Sequence, residues 1–354
     1  MKAVSKDFLK ENNRKVVFNS IHRHSPISRT QIVKETGLSK VTVTRAVNEL
    51  IKKGFVREGE SAASNGGRPQ VLIRLVPEAR YAIGVDVGIY KIKAGLCDLA
   101  GDVVSKVERD IAPKLNVAGL AEVITGAAEE LIGSRNMKRE KVLGLGVAML
   151  GVIDSERGIV KSSFILADRE VSLGQELDGR LKMAIVIDRD ANAGLFYERY
   201  MGKGKGTDDI LYVYTRNNEK GELGIGCSLL LGGRIYRGAD YYAGEVGLAR
   251  GSDEGLSRLL SFEGTTSFAG PEMADRVGGI VAFLVNLLNP GLVIIGGDFS
   301  AAGQEFLGPV EDSLRRHIFD FSDRNIRIEP SKANGDSGIK AAAFMVIAKL
   351  LGYH

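Results

Sequence analysis

Two carboxylates on separate segments are the side chains best placed for chemistry. Asp188-Arg189-Asp190-Ala191-Asn192-Ala193 follows the apolar run Ile185-Val186-Ile187 and opens a helical pattern through Tyr197-Glu198-Arg199. An Asp at a strand end beside a cleft can accept hydrogen bonds from a hydroxyl, or act as a general base toward it. Local pattern alone equally allows Asp190 to be a helix N-cap. Glu245 stands between glycines in Gly238-Ala239-Asp240-Tyr241-Tyr242-Ala243-Gly244-Glu245-Val246-Gly247. So held, it could grip two hydroxyls, or it could be an exposed turn residue.

Glycine-bearing strand ends form a second set: Asp86-Val87-Gly88, Gly224-Ile225-Gly226 and Gly296-Gly297-Asp298. Such turns let backbone N–H groups approach phosphates or a sugar closely. Each alone is ordinary turn chemistry. Three in order, with a carboxylate motif between them, say more.

The third set is cationic and hydroxylic. Ser39, Lys40, Thr42, Thr44, Arg45 and Asn48 fall on the polar side of Lys-Val-Thr-Val-Thr-Arg-Ala-Val-Asn-Glu-Leu-Ile-Lys-Lys-Gly, whose Val43, Val47, Leu50 and Ile51 share the other face. These groups can bind phosphates or read base edges if the helix enters a major groove.

The elements that must position this last set are local. Residues 6–23 read as a helix carrying Phe8, Leu9, Val16, Val17 and Ile21, broken by Ser25-Pro26. Ser28 precedes the short helix Arg-Thr-Gln-Ile-Val-Lys-Glu-Thr, with Ile32 and Val33 inward. Gly37 suits a left-handed turn, Leu38 plugs the angle between helices, Ser39 is an N-cap and Gly54 a stop. The pair is a helix-turn-helix. Phe55-Val56-Arg57 and Val71 to Leu75 read as strands of a hairpin wing, with Arg68 near its cationic tip. Residues 1–75 hold 15 Lys and Arg against 6 Asp and Glu, a net +9, whereas the remainder carries −5. A basic module so built is expected to bind double-stranded DNA.

After Pro77 the pattern changes. Strands are expected at Tyr81 to Val87, Lys91 to Leu96, from Val103, at Val142 to Val147, Ile185 to Asp188, Leu211 to Tyr214, Cys227 to Leu231 and Val293 to Gly297. Helices are expected at 117–135 and 276–289. Alternation of this kind is α/β, in two lobes. At 354 residues the chain is long enough for two or three domains. Its two cysteines, Cys97 and Cys227, make no CxxC, which speaks against a disulfide framework and a cysteine zinc site. A leader peptide and a membrane span are not expected, so the predicted location is cytoplasmic.

The order of motifs resembles the ROK family of sugar kinases and sugar-responsive repressors, over essentially the whole chain. The helix-turn-helix followed by Asn-Gly-Gly-Arg-Pro resembles its repressor branch. GVDVGIYKIKAGLCDLAGDV is similar to the first phosphate strand pair, DRDANAG to the catalytic loop, LGIGCSLLLGGRIYRGADYYAGEVG to the second phosphate turn and sugar loop, and LVNLLNPGLVIIGGDFS to the adenosine-side motif. The resemblance implies an N-terminal winged helix-turn-helix (1–75), then a two-lobed actin-like, ribonuclease-H-like sugar kinase body. Its first lobe is 76–190, to which a C-terminal helix at 336–354 returns. Its second lobe, 191–335, holds the effector and the oligomer contact.

Departures from the family pattern shape the expected function. Asp86-Val87-Gly88-Ile89-Tyr90-Lys91 stands where kinases read Asp-x-Gly-Gly-Thr-Lys, so Ile89 and Tyr90 crowd the phosphates and remove a hydroxyl. The family's Asn-Asp pair is Arg189-Asp190, which keeps the base position but not its sugar-binding neighbour. Its Gly-His is Gly247-Leu248, and 249–263 contain no Cys, so no metal is expected. Glu263 is a possible stand-in for a later sugar-binding Glu. The expectation is a transcriptional regulator, a repressor of carbohydrate-utilisation genes, without cofactor and without kinase activity. Arg189, Asp190 and Glu245 would hold a monosaccharide or polyol effector. Homodimers or dimers of dimers would meet repeated operator half-sites. The alternative is an ATP-dependent sugar kinase that also carries a DNA-binding domain.

Overall fold

The computed structural model describes residues 6–62, 70–135, 137–217, 223–246, 271–297, 304–320, 324–332 and 335–353. The chain opens with α1 (Lys6–His24), β1 (Ile27–Ser28), α2 (Arg29–Thr36), α3 (Lys40–Lys52), β2 (Val56–Ala62) and β3 (Gln70–Leu75). Their boundaries follow from capping. Ser28 Oγ accepts from Gln31 N while the Gln31 side chain accepts from Ser28 N, a reciprocal box that starts α2. Gly37, at φ 66°, closes it by donating to Val33 O. Ser39 accepts from Thr42 N and starts α3. Val43, Ala46, Val47 and Leu50 are buried with Val17, Phe18, Ile21 and Ile32. The hairpin β2–β3 gains a third strand, because Ile27 of β1 pairs with Ile73 of β3. That two-residue strand has no periodic signal of its own.

The body repeats one topology twice. The first half runs β4 (Tyr81–Val87), β5 (Lys91–Asp98), β6 (Val103–Asp110), α4 (Val117–Gly133), β7 (Val142–Met149), β8 (Val152–Asp154), β9 (Ile159–Ser162), α5 (Leu173–Leu181) and β10 (Ile185–Arg189). The second runs α6 (Asp190–Met201), β11 (Ile210–Asn217), β12 (Leu223–Leu231), β13 (Arg234–Tyr236), α7 (Pro271–Leu288), β14 (Leu292–Gly297), α8 (Gln304–His317), β15 (Arg327–Pro330) and α9 (Ser337–Leu351). The first sheet is ordered β10-β7-β4-β5-β6 and the second β13-β12-β11-β14-β15. In each, three antiparallel strands are extended by two parallel ones reached through helical crossovers. Each lobe has its own buried apolar cluster, one around Ile83, Val147 and Leu120 and the other around Val213, Val281 and Val293.

One expectation is corrected. Gly224-Ile225-Gly226 is not a turn at a strand end. It lies within β12 and pairs with Arg216, Thr215 and Tyr214 of β11.

Helix α9 joins the parts. It packs on β4, β5 and β7 of the first sheet and on α6 and α1. Gly84 and Gly146 permit this: a Cβ on either would sit about 2 Å from the carbonyl oxygens of Ile339 and Ala342. Ten of its residues, from Ile339 to Leu351, are buried, and Phe344 and Tyr353 share one cluster with Val17 and Ile21 of α1. The N-terminal module thus has no separate core boundary with the body. His22, itself buried, donates from Nε2 to Leu99 O at 2.7 Å. Arg23 donates to Tyr353 Oη at 2.9 Å, and Tyr353 Oη donates to Asn19 at 3.0 Å. Both cysteines are buried and free, and burial pushes each thiol up to about 12, so neither is a thiolate at neutral pH.

Candidate effector and DNA-binding sites

The carboxylate motif sits where β10 ends and α6 begins, at the junction of the two halves. Asp188 is the penultimate residue of β10, and Asp190 is the first residue of α6. Arg189 between them is the N-cap by backbone geometry, with no side-chain cap bond. Its side chain turns instead to the second lobe. Nη1 is 2.5 Å from Glu245 Oε1, and Nη2 donates to Cys227 O at 2.6 Å and to Asn192 Oδ1 at 3.2 Å. Arg189 is 4% exposed, so this pair is desolvated and its geometry is fixed.

The loop that carries Glu245 is pinned by its glycine. Gly244 has φ 85°, and its carbonyl accepts from Cys227 N at 2.9 Å. A Cβ there would meet Cys227 O at 1.9 Å and Arg189 Nη2 at 2.8 Å. Only glycine lets the loop lie this close to β12 and deliver Glu245 to Arg189.

Residues that sequence reasoning missed complete the cluster. Asp188 accepts from Asn192 Nδ2 at 2.8 Å through Oδ1, and from Arg237 Nη2 at 2.6 Å through Oδ2. Ser228 Oγ donates to Asn192 Oδ1 at 2.6 Å. The chain Glu245–Arg189–Asn192–Asp188–Arg237 therefore links β10 and α6 to the loop after β13, with Ser228 and the Cys227 carbonyl of β12 joined to it. Asn192 stood inside the motif, one helical turn past Asp188, so its spacing was visible. Arg237, 49 residues from Asp188, gave no local signal. Asp190 is buried beside this chain and accepts from Ala191 N at 2.8 Å through its own Oδ1. The structure thus brings Arg189 and Glu245 into contact and places Asp190 next to Arg189. Among the described residues, no cluster of three or more His, Cys, Asp or Glu could hold a metal ion. Leu248 and Glu263 lie outside the described residues.

The glycine turns are occupied from within the chain. Gly88 N–H donates to Lys91 O at 2.9 Å, closing the turn, and Lys91 Nζ pairs with Glu108 at 3.3 Å. A Cβ on Gly296 would sit 2.2 Å from Tyr212 Oη, so that glycine makes room for a buried ring. Asp298 lies outside the described residues.

In the N-terminal module, α3 presents Lys40, Thr44, Arg45 and Asn48 as exposed side chains, with Thr42 half-buried. Ser39 and Thr42 hydroxyls bond each other at 2.9 Å, and Thr44 Oγ1 donates to Lys40 O at 2.8 Å. Arg29 reaches Asn48 Oδ1 at 3.4 Å and Glu58 at 2.8 Å. Glu49 collects Lys10 at 2.9 Å and Arg45 at 3.6 Å, and the Lys10 hydrogen bond holds its carboxyl below the usual carboxylate range. Arg68 lies outside the described residues.

Comparison with known proteins agrees with this architecture. Residues 15–64 match the MarR family, and residues 82–257 match the ROK family. The chain belongs to the ROK family. Among ROK relatives, the xylose repressor of Caldicellulosiruptor bescii is 26% identical over 98% of both chains. A solved ROK family transcriptional regulator, described as a homologue of the Escherichia coli MLC protein, superposes with a TM-score of 0.75 at 18% identity over 97% of both chains. A ROK family glucokinase from Streptomyces griseus, solved with glucose and AMPPNP, gives 0.62 at 22% identity, covering 75% of this chain and 98% of its own. The ROK fold of the chain is thus an N-terminal helix-turn-helix followed by an actin-like sugar kinase body. Among the described residues no helix is long and apolar enough to cross a membrane.

Proposed function

We propose that this ROK protein is a sugar-responsive transcriptional repressor that binds operator DNA through residues 1–75. The observation that carries the reading is the junction itself. A basic helix-turn-helix with an outward cationic α3 shares one continuous core with a kinase-like body in which the buried Arg189 pairs with Glu245. Full-length relatives named as xylose repressors support it. The lobes are taken as 76–190 with α9, and 191–335. The protein acts in the cytoplasm as a homodimer or a dimer of dimers.

The effector is a monosaccharide or polyol bound by Asp190 and Glu245, with Arg189 beside them. Arg189 uses Glu245 Oε1, so Oε2 accepts the ligand hydroxyl. Buried Nε groups of Arg189 and Arg237 have no acceptor among the described residues, and a ligand oxygen would satisfy them. Charge-assisted hydrogen bonds of this kind contribute about 1.5–3 kcal/mol each.

The same site gives the path to DNA. Helix α6 starts at Asp190 and ends near Tyr200, whose ring stacks on Tyr353 at 4.0 Å. Tyr353 holds Arg23 and Asn19 of α1. A ligand shifts such an equilibrium only by its differential affinity for two arrangements. Effector binding at one end of α6 biases the seat of α1 at the other.

Kinase activity is lost in this reading. Ile89 and Tyr90 replace the Gly-Thr of the phosphate turn, Gly88 N–H is spent on Lys91 O, and Arg189 is tied to Glu245. Phosphoryl transfer depends on donors placed in advance around the γ-phosphate, and these are the donors missing or engaged. Purified protein with ATP, magnesium and a panel of hexoses, pentoses and amino sugars is the test. Silence is expected. Turnover that disappears in Asp190→Asn would establish the kinase reading instead.

A further inference from the structure

Val41 has no folding reason to be where it is. The other apolar residues at the heart of α3, Val43, Ala46, Val47 and Leu50, are buried, but Val41 is 79% exposed, more than any other large apolar side chain among the described residues. A β-branched residue at an exposed helical site also costs helix propensity relative to alanine. Its neighbours on the helix surface are the groups already assigned to DNA. Lys40, Val41, Thr44, Arg45 and Asn48 recur at i, i+1, i+4, i+5 and i+8, and with Glu49 and Lys52 they line a shallow depression of about 640 Å³.

The polar members of this face are partly engaged within the chain. Thr44 donates to its own helix, Asn48 accepts from Arg29, and Arg45 lies near Glu49. Val41 sits in the first turn of α3, the end that enters the groove in helix-turn-helix docking. In the major groove the apolar feature that distinguishes one base pair from another is the C5-methyl group of thymine. We propose that Val41 is a specificity-determining residue that packs on a thymine methyl, so that each operator half-site carries an A·T pair under the start of α3. Lys40 and Arg45 beside it supply phosphate contacts that hold the helix in register without reading sequence. This assignment rests on the DNA-binding reading above and refines it.

The test uses the full-length protein. An operator is first selected from random duplexes. Each thymine of its half-site is then replaced singly by deoxyuridine, which removes only the methyl group, and affinity is measured at fixed salt. One position should weaken binding by about fourfold, the worth of burying one methyl. In Val41→Ala, a substitution on the surface that leaves the core intact, thymine and uracil at that position should bind equally. If no thymine is sensitive, or if the sensitivity persists in Val41→Ala, the assignment is overturned. It is also overturned if Val41→Ala leaves the uracil profile unchanged and instead alters the oligomeric state in sedimentation, because Val41 would then cover another copy of the chain. Failure to select any duplex would strike the DNA-binding reading itself, and this assignment with it.

Discussion

Arg189 Nη1 and Glu245 Oε1 meet at 2.5 Å across the boundary between the end of β10 and the loop after β13. This one pair ties the proposed effector carboxylate to the first residues of α6, and so to the helix that leads toward the DNA-binding module. It also couples the two side chains, since removing either leaves the other without its partner.

Glu245→Gln keeps the shape and removes the charge. Effector binding should weaken tenfold or more, while operator binding without effector persists, since residues 1–75 are untouched. Titration calorimetry and operator anisotropy on the same preparation check both. Loss of folding with intact effector affinity in the folded fraction would make Glu245 a structural turn residue.

Arg189→Ala is a stability experiment. It leaves a nearly buried Glu245 carboxylate without its cation and removes a donor from Cys227 O and Asn192. Breaking a buried pair from one side costs about 3–5 kcal/mol. Urea unfolding should show a loss of this order; a loss within 0.5 kcal/mol, roughly what a surface change produces, would mean the pair is not held in solution.

Much of the N-terminal module was legible because its signals are local. Ser28 with Gln31, Gly37 and Ser39 fixed two helices and the turn between them within a dozen residues. The carboxylate motif at 188–193 was legible as a strand-to-helix junction for the same reason. What was not legible is long-range. Arg237 meets Asp188 only because the second lobe folds back on the first, and nothing near Arg237 in sequence says so. Gly224-Ile225-Gly226 carries turn composition, but pairing with β11 overrode it. The roles of Gly84 and Gly146 became visible only with α9 laid across them.

Tyr200 and Tyr353 should couple the two ends of the molecule. Tyr353→Leu keeps apolar volume at the buried junction but removes the stacked ring and the hydroxyl that holds Arg23 and Asn19. Effector affinity measured without DNA, and operator affinity measured without effector, should each stay within a few-fold of the parent. The change in operator affinity on adding effector should shrink toward one. A variant that responds normally would place the coupling elsewhere.

His22 predicts the direction of pH dependence. Burial lowers its pKa, with Arg23 and Lys205 adding to the effect against the opposing Leu99 carbonyl. Nε2 donates to Leu99 O, so protonation must occur at Nδ1, which is buried and has no partner. The unfolded chain then binds the proton more readily than the folded one. Stability is full above the unfolded value, near pH 6.5, and falls as pH drops from there toward the lower folded value. Thermal unfolding at pH 5, 6 and 7.5 should show a decline in the parent that is smaller in His22→Gln. Equal slopes would show that His22 does not titrate differently in the two states.

DNA contacts on α3 predict salt behaviour. Lys40→Ala and Arg45→Ala should weaken operator binding, and each phosphate contact removed should lower the salt slope of log affinity by about one. Unchanged slopes would leave these side chains outside the interface.

Control of DNA binding through the Glu245 site is tested most directly by one titration. The selected operator, labelled and bound to full-length protein, is titrated with a panel of neutral monosaccharides and polyols, for the parent and for Glu245→Gln. At least one sugar should change operator affinity tenfold or more in the parent, downward for an inducer and upward for a co-repressor, and Glu245→Gln should require far more of it. If no member of the panel moves operator affinity, or if the effect is the same in Glu245→Gln, the proposed control of DNA binding through this site is contradicted.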